Sequence, residues 1–471
     1  MRYLFLLFGL IFFFSCSSQP VLIDSSEDSL EMIGGKKALL ESIVYPANAL
    51  NRGIEGEVRL LAYIDTAGAV RKCKVVKGNE YLNDAAVRAL KKQRFRPYSI
   101  NGEKRPVQVV IPIIFTISPD LDIRKYERAY VMDKAEAYLG NPPDPITNYR
   151  CGRSPGDKHS YYSEGLFWWP QEGDTLAPYT YADEEPNPDS FREHADVLAK
   201  LGKIVPALTA AYSISGEEKY AEAAADHLRA WFIDNNTRMK PHLQYAGAIP
   251  NRTSGRDTGI YEGLHFAEVI RSLPLLENFL REDEIIKLRD WFREYTDFLL
   301  DHENGISVRD RLDVYGNAWL LQLGTAADYL DNPEIKEIAR TYYREVLFPR
   351  LAGLSSPLYR EDLNRIFRND IFLNADLLAM NAHVLGKRKN ELWNLKLSGG
   401  HGLRSLMHYY YRRAMEQETV NPEHYRGRFL SLLLAGEAYE KNEYLELWKI
   451  REDRYEDKTD FPLRQPVLWM K

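Results

Sequence analysis

The amino-acid sequence predicts a protein of two folded domains, a small α+β domain followed by a larger all-α domain. The 471 residues are enough for two or three domains of ordinary size. Residues 56–117 contain segments that alternate apolar and polar side chains as strands do, around one helical segment. From residue 121 onward, apolar residues recur at the three- and four-residue spacing of helices, and no strand-rich module is expected there.

The N-terminal segment has the pattern of a secretion signal. Arg2 supplies the positive charge, and residues 4–14 form an apolar run that is too short to span a bilayer comfortably. Cys16 follows this run as the acylated cysteine follows a bacterial lipoprotein signal, and plain secretion with cleavage nearby is the alternative. The expected division is a lipoprotein signal peptide over residues 1–16 and a polar tether over residues 17–35.

Charge, cysteines and histidines narrow the classes of function. The formal net charge is −6, whereas a general nucleic-acid binder is usually basic, so nucleic acid is not an expected partner. Cys73 and Cys151 fall in different predicted domains and form no disulfide framework. No metal and no cofactor are expected, because the histidines are scattered without ligand spacing: His302, His383, His401 and His408.

The small domain is expected over residues 36–118. Alternation predicts a hairpin from residues 56–65 and 69–76, and helical spacing follows in residues 82–92. A further strand is predicted over residues 107–117.

This pattern resembles the C-terminal domain of TonB energy transducers. The residues that keep the order and spacing of that family are Tyr45-Pro46, Ala49, Gly53, Gly56-Glu57-Val58, Ile64-Asp65, Gly68, Ala86, Ala89-Leu90, Phe95-Arg96-Pro97, Asn101-Gly102, Pro112 and Phe115. The resemblance implies a docking module whose exposed sheet edge accepts a strand from a partner, such as a TonB-dependent transporter or another envelope protein. A spacer fold with no partner is the alternative.

The second domain is expected to be an all-α (α/α) toroid over residues 121–450, with an irregular tail over residues 451–471. Helical spacing is found in residues 126–139, 191–214, 217–232, 261–280, 283–300, 317–329, 334–347, 369–385 and 403–417. Helix hairpins around a central cleft fit this pattern. A simple stack of helical repeats is the alternative, but no fixed-period repeat is found in the sequence.

Residues 154–170 combine a histidine, two adjacent tyrosines and two adjacent tryptophans with glycine and proline. Aromatic faces stack on sugar rings, so this segment is a candidate carbohydrate site. It also resembles the alginate lyase family, and the resemblance continues through Gly156-Asp157-Lys158-His159, Phe167-Trp168-Trp169-Pro170, Pro178-Tyr179, Asn187-Pro188, Trp231-Phe232, residues 243–250, residues 255–260, Gly316, Gln322, Glu391-Leu392-Trp393-Asn394 and residues 400–406. The resemblance implies a toroid that cleaves uronate chains by β-elimination.

The family uses an Asn-Asn-His stretch, an arginine and a tyrosine for this chemistry. The Asn-Asn-His-Gly position reads Asp313-Val314-Tyr315-Gly316 here, Arg365 holds the arginine position, and the tyrosine position falls on or near Asp370. The candidate catalytic residues are therefore Tyr315, Arg365 and Asp313. An ordinary tyrosine has a pKa of about 10, so Tyr315 needs nearby cations to act as base and acid.

The candidate substrate-binding residues are aromatic, cationic or amide side chains around the same motifs: His159, Trp168, Trp169, Tyr179, Tyr245, Arg252, Arg256 and Gln322. Arg252 and Arg256 lie in a loop rich in glycine, asparagine and serine, where a guanidinium can bind a uronate carboxylate. For each, loop bracing, core packing or an ordinary salt bridge is the structural alternative.

The preferred function is cleavage of a uronate-containing, alginate-like polysaccharide by a lipid-anchored protein of the periplasm or cell surface. The alternative is a catalytically inactive glycan-binding lipoprotein that docks to an outer-membrane uptake system. A third hypothesis is hydrolysis on the same fold by paired carboxylates such as Glu361, Asp362 or Asp370.

Overall fold

The computed structural model describes residues 20–23, 30–46, 48–49, 52, 54–115, 121–182, 185–311, 313–353, 371–386, 391–397, 400, 402–416, 428–450 and 465–470. The chain forms two compact units, Met1–Ser118 and Pro119–Lys471. Each unit has its own core.

A four-stranded sheet is the framework of the N-terminal unit. Its strands are β1 (Val21–Ile23), β2 (Gly56–Ile64), β3 (Val70–Lys77) and β6 (Val107–Phe115); a separate hairpin joins β4 (Ser99–Ile100) to β5 (Glu103–Lys104). The sheet order is β1-β6-β2-β3, with β2 antiparallel to both β3 and β6. β1 runs parallel to β6 and occupies that edge, although the sequence had predicted a polar tether there.

Period-two alternation explains the core of this unit. Val58, Leu60, Ala62 and Ile64 of β2 are all buried. The helices are α1 (Gly35–Ser42) and α2 (Glu80–Lys91), and α2 packs against β2 and β3 with its own apolar face buried. The predicted strand–strand–helix–strand order is confirmed.

The second unit is mostly helical, and its helices are α3 (Ile123–Tyr138), α4 (Glu193–Ser215), α5 (Glu218–Leu228), α6 (Leu264–Leu276), α7 (Glu282–Asp301), α8 (Glu303–Arg309), α9 (Val314–Tyr329), α10 (Pro333–Tyr342), α11 (Phe348–Gly353), α12 (Ile371–Leu385), α13 (Leu403–Glu416), α14 (Leu430–Tyr439), α15 (Asn442–Ile450) and α16 (Pro466–Trp469). Short 3-10 and π-helical turns extend several of them.

The helices of this unit fall into an inner and an outer set. α4 packs on α6, α6 on α9, α9 on α12 and α12 on α14, so these five form a continuous inner layer. Among them, α9, α12 and α14 are apolar on nearly all sides, which is the pattern of helices covered by neighbours, whereas α5, α7 and α10 have one polar face. α4 is also long and apolar enough to cross a membrane, but most of it is buried inside the unit.

Four short strands stand among these helices where the sequence predicted none. β7 (Tyr162–Glu164) pairs with β10 (Tyr245–Ala248), and β8 (Trp168–Trp169) pairs with β9 (Thr180–Tyr181). The expected irregular tail contains one helical turn, α16, in which Trp469 is fully buried. The four short strands position the candidate site, because β7 and β8 carry the aromatic segment and β10 leads into the loop of Arg252 and Arg256.

Candidate functional site

Close backbone packing holds the loop that carries the two predicted arginines. After β10, residues 249–256 turn back along the strand, and the backbone N–H of Arg256 donates to the carbonyl of Ala246 at 2.9 Å. A Cβ at Gly255 would lie only 2.0 Å from a backbone oxygen of Gln244, so this position requires glycine. The loop therefore presents its arginines from a rigid base.

The half-buried indole of Trp168 is approached by two guanidinium groups. The Cζ atoms of Arg252 and Arg256 lie 5.2 Å and 5.7 Å from the ring centroid, within the range of cation–π attraction. Gly165 allows this convergence, because a Cβ there would lie 2.6 Å from Trp168 and 2.8 Å from Arg256. The structure thus brings together three of the residues that the sequence predicted for substrate binding.

Arg256 is the more firmly held of the two cations. Its Nε donates to the carbonyl of Gly247 at 2.5 Å, whereas Arg252 is exposed. Burial lowers the pKa of Arg256, and the neighbouring Tyr315, Asp257 and Glu262 act in the opposite direction. An arginine stays charged under such conditions, so a positive charge is fixed beside Tyr315.

Tyr315 lies in the first turn of α9 and is half-buried. Its ring packs edge-on against Tyr261 at 5.6 Å, and the Cζ of Arg311 lies 4.8 Å from its centroid. Arg256 also interacts electrostatically with this phenol. The cations that Tyr315 was predicted to need are therefore present, although one of them, Arg311, was not among the predicted residues.

The carboxylate of Asp313 is used locally. Its Oδ1 caps α9 by accepting the backbone N–H groups of Tyr315 at 3.0 Å and Gly316 at 3.4 Å. Its Oδ2 accepts Nη2 of Arg311 at 2.6 Å and Nε at 3.1 Å. The negative charge is thus compensated by a guanidinium and a helix N-terminus, and Asp313 fixes Arg311 against Tyr315.

A half-buried carboxylate, Glu262, ties the strands to the helices behind the arginine loop. It accepts the hydroxyl of Tyr161 at 2.9 Å, the hydroxyl of Ser163 at 2.6 Å and Nη1 of Arg192 at 2.5 Å. Ser163 in turn accepts the N–H of Gly247 at 2.8 Å. Through this network Glu262 fixes the strand carbonyl that holds Arg256.

A second carboxylate, Glu164, is buried one residue beyond Ser163. Burial would raise its pKa, but hydrogen bonds from Arg153, from the backbone of Phe191 and from the hydroxyl of Tyr162 outweigh burial and hold the pKa below its ordinary value. Glu164 stays ionised and braces the entry to α4. It has no open side for a substrate.

Three further predicted residues make specific contacts of their own. Nδ1 of His159 donates to the carbonyl of Arg238 at 2.7 Å, and Nε1 of Trp169 donates to the carbonyl of Glu185 at 2.9 Å. Tyr245 packs on the cluster of Tyr162, Phe191 and Ala248. Each of these contacts braces a loop or the core. The side chains of His159, Trp169 and Tyr245 are nevertheless only half-buried, so part of each is exposed to solvent. Tyr179 is also half-buried.

Gln322, a predicted substrate-binding residue, points into the core of the helical unit. Its side chain is fully buried, accepts the hydroxyl of Tyr295 at 2.6 Å and donates to the carbonyls of Ile260 and Ala318 at 3.1 Å each. All its polar capacity is used inside the unit, so it positions the segment of Tyr261 rather than touching a ligand. Arg365 lies outside the described residues, as do Cys16, Glu361, Asp362 and Asp370.

Sequence reasoning missed Arg311 and Glu262. Arg311 stands two residues before Asp313 and has no motif of its own; only the cap geometry turns it toward Tyr315. Glu262 did leave a signal, because it is one of two carboxylates, with Glu268, in an otherwise largely apolar stretch over residues 259–270. An isolated charge in such a stretch usually has a partner when the stretch is buried.

Two segments of the chain match known families. Residues 146–361 match the model of the alginate lyase family, and residues 41–117 match that of the Gram-negative bacterial TonB protein C-terminal. A crystal structure of an alginate lyase from Bacteroides ovatus superposes with a TM-score of 0.60 at 21% identity, covering 73% of this chain and 93% of that one. The predicted fold class, a TonB-like α+β domain followed by an α/α toroid, is confirmed.

The curated relatives match the N-terminal unit. Protein TonB from Xanthomonas campestris pv. campestris (strain B100) is 34% identical over 76 residues, which are 16% of this chain and 34% of that protein. Protein TonB from Vibrio cholerae serotype O1 is 32% identical over 106 residues, which are 21% of this chain and 39% of that protein. The chain thus spans about a third of the length of these relatives, and the likeness indicates an envelope setting.

Proposed function

We propose that the helical unit binds a uronate-containing anionic polysaccharide and cleaves it by β-elimination. The observation that carries this proposal is the grouping of Arg252, Arg256 and Arg311 around Trp168 and Tyr315. An indole gives a stacking face for a sugar ring, and guanidinium groups pair with carboxylates. The match of residues 146–361 to the alginate lyase family supports the same class of substrate.

The chemistry assigns a role to each member of this group. The proton on C5 of a uronate is α to the carboxylate, so a cation that neutralises the carboxylate lets negative charge develop there. Arg256 and Arg311 are the proposed neutralising cations, with Arg365 as a further candidate. Tyr315, as phenolate, takes the C5 proton; the electron pair forms the C4–C5 double bond, the C4–O bond breaks, and the phenol returns the proton to the leaving oxygen.

Asp313 fits this scheme as a positioning residue. A bare carboxylate in the stretch where the family has Asn-Asn-His would repel a uronate, and such repulsion would count against catalysis at this position. The guanidinium of Arg311 and two backbone N–H groups compensate that charge. This compensation favours the catalytic over the purely binding hypothesis.

The decisive experiment incubates the purified protein with alginate, glucuronan and related glycans. Elimination creates a conjugated unsaturated sugar that absorbs in the ultraviolet, and hydrolysis creates reducing ends without that absorbance. We expect absorbance to appear, and Tyr315→Phe to lower the rate by about 10²–10⁴-fold, because the phenol carries the proton. Tyr212→Phe, whose ring packs on Phe279 away from the site, is the matched control and should keep the rate.

Other outcomes select the other hypotheses. Reducing ends without absorbance would select a hydrolase. Binding with neither product would select the inactive glycan-binding lipoprotein. An unchanged rate in Tyr315→Phe would remove Tyr315 from the mechanism.

We propose docking to an envelope protein as the function of the N-terminal unit. β1 occupies the β6 edge of the sheet, whereas no described strand pairs with the outer edge of β3, which carries Arg71, Lys72, Lys74 and Lys77. An extended acidic segment of a transporter-type protein would suit this edge. Peptides from the periplasmic ends of such proteins should slow hydrogen exchange in β3; unchanged exchange with every peptide would favour a spacer fold.

We also propose that the protein is held at a membrane through a lipid on Cys16. The apolar run before this cysteine and the polar residues after it support the assignment. Cys16→Ser should move the protein from the membrane fraction to the soluble fraction of the envelope. Retention in the membrane would refute lipid anchoring at this residue.

A further inference from the structure

Two histidines outside the predicted site contact the same phenylalanine. His242 stands just before β10, and His302 joins α7 to α8. Their ring centroids lie 6.1 Å and 4.9 Å from that of Phe298. Both imidazoles are half-buried, and His302 contributes to the lowering of the pKa of His242.

Backbone hydrogen bonds fix which nitrogen of each ring carries the proton. Nδ1 of His302 accepts the N–H of Asn304 at 3.1 Å, and Nδ1 of His242 accepts that of Gln244 at 3.4 Å. In a neutral imidazole the other nitrogen then bears the hydrogen. No residue in the described part of the chain hydrogen-bonds to Nε2 of either ring, so each presents an N–H donor.

Both rings are neutral near pH 7. Burial, with Lys240 and His302 adding to it, lowers the pKa of His242 to about 4. Burial also lowers the pKa of His302 against the opposing effect of Glu303. These groups are hydrogen-bond donors rather than cations, and in this tautomer neither Nε2–H offers a lone pair to a metal.

One short helix, α8, connects the histidine pair to the surroundings of Tyr315. Asn304 donates to the carbonyl of Gln244 at 3.3 Å, so α8 starts against the segment of His242. Seven residues long, α8 extends about 10 Å at 1.5 Å per residue. Near its other end Ser307 donates to Asp257 at 2.9 Å, and Asp257 lies 3.9 Å from Arg311.

We propose that His242 and His302 form a subsite that donates hydrogen bonds to hydroxyl or carboxylate oxygens of a uronate unit neighbouring the one at Tyr315. The inference rests on the proposed function, since it names a second sugar position on the same glycan. The separation along α8 places the pair beyond the reacting sugar, so it acts in binding longer chains and not in the proton transfers. Tyr245, whose ring packs edge-on against His242 at 5.9 Å, supplies an aromatic wall.

Asparagine substitutions test this subsite without removing the backbone bonds. In His242→Asn and His302→Asn the Oδ1 atom can replace Nδ1 as acceptor, but the Nε2–H donor is lost. His242→Gln and His302→Gln are the matched controls, because a glutamine amide reaches the Nε2 position. All four are made in Tyr315→Phe protein, so that the oligosaccharide stays intact, and are titrated with uronate monosaccharide and trisaccharide by calorimetry.

We expect each asparagine variant to lose about tenfold in affinity for the trisaccharide, as for one lost hydrogen bond, and the glutamine variants to keep most of it. Affinity for the monosaccharide should change little. Equal trisaccharide affinity in all variants would overturn the subsite and leave the proposed function standing. Absence of any uronate binding by the parent protein would overturn the proposed function itself.

A second measurement tests the subsite if an asparagine variant is too unstable to titrate. Protein with ¹⁵N-labelled histidine and otherwise only the Tyr315→Phe change is titrated with trisaccharide. The Nε2–H resonances of His242 and His302 should shift on binding. Resonances that stay unchanged at saturation would overturn the subsite.

Discussion

The two units of the molecule place their polar side chains in opposite ways. In the N-terminal unit the cations of β3 lie on the surface, and the buried polar side chain among the described residues is Gln93. In the helical unit carboxylates and amides such as Glu164, Glu268 and Asn317 are buried. The first unit is a sheet and helices around an apolar core, with polar side chains at the surface. The second unit also buries polar and charged side chains inside its fold.

This difference follows from what each unit is expected to recognise. An added strand is bound by backbone groups, which any sheet edge provides without special side chains. A charged sugar in a reaction needs guanidinium and phenol groups in fixed positions, and these positions have to be braced by further polar groups behind them. The Glu262 network is such a brace.

The largest expected loss of stability comes from breaking that brace. Glu262→Ala leaves Arg192 without its carboxylate and removes an acceptor from Tyr161 and Ser163, so we expect about 3 kcal/mol less free energy of unfolding. Urea denaturation followed by tryptophan fluorescence measures it. Glu334→Ala, an exposed glutamate of α10, is the control and should stay within about 0.5 kcal/mol. Equal stability of the two variants would contradict the role of the network.

An intermediate effect is expected from pH, and it again belongs to the helical unit. Burial first, then Lys240 and His302, lowers the pKa of His242 to about 4. Between that value and the ordinary histidine pKa of about 6.5, the unfolded chain binds a proton that the folded one does not, so acid favours unfolding. From pH 8 to pH 5 this histidine should cost about 2 kcal/mol of unfolding free energy.

Urea denaturation at both pH values measures this cost, and His242→Asn is the comparison. The variant should lose about 2 kcal/mol less than the parent between pH 8 and pH 5, because asparagine does not titrate. The same pH dependence in both proteins would show that His242 takes up its proton without unfolding.

The smallest effect compares one helix cap in each unit. Asn79 caps α2 by accepting the N–H of Tyr81 at 2.9 Å, and Asn332 caps α10 through the N–H groups of Glu334 and Ile335 at 3.1 Å. Replacing either by alanine should cost about 1 kcal/mol. Hydrogen exchange in the full chain should show faster exchange in α2 for Asn79→Ala and in α10 for Asn332→Ala. Unchanged exchange in the capped helix would contradict the contribution of that cap.

The sequence allowed much of the fold to be predicted, because periodicity is local. The strand predicted over residues 56–65 is Gly56–Ile64, and the helix predicted over residues 283–300 is Glu282–Asp301. The helices that were missed are α1, α8, α11, α14, α15 and α16. α8 is short, and α14 is apolar on all sides, so neither has the contrast of faces that marks a helix. β1 was missed because a strand of three residues is too short to show the alternation of apolar and polar side chains.

What the sequence by itself determined is the order of the two units, the approximate bounds of their main helices and strands, and the residue types available for the chemistry. Only the tertiary structure decided which side chains come into contact. Arg311 compensates Asp313 beside Tyr315, Gln322 faces inward, and His242 and His302 both contact Phe298. Helical and strand spacing depends on neighbours along the chain. Contacts between side chains depend on how segments that are distant in sequence pack together. In this protein that packing is fixed by glycines at close backbone approaches and by half-buried carboxylates.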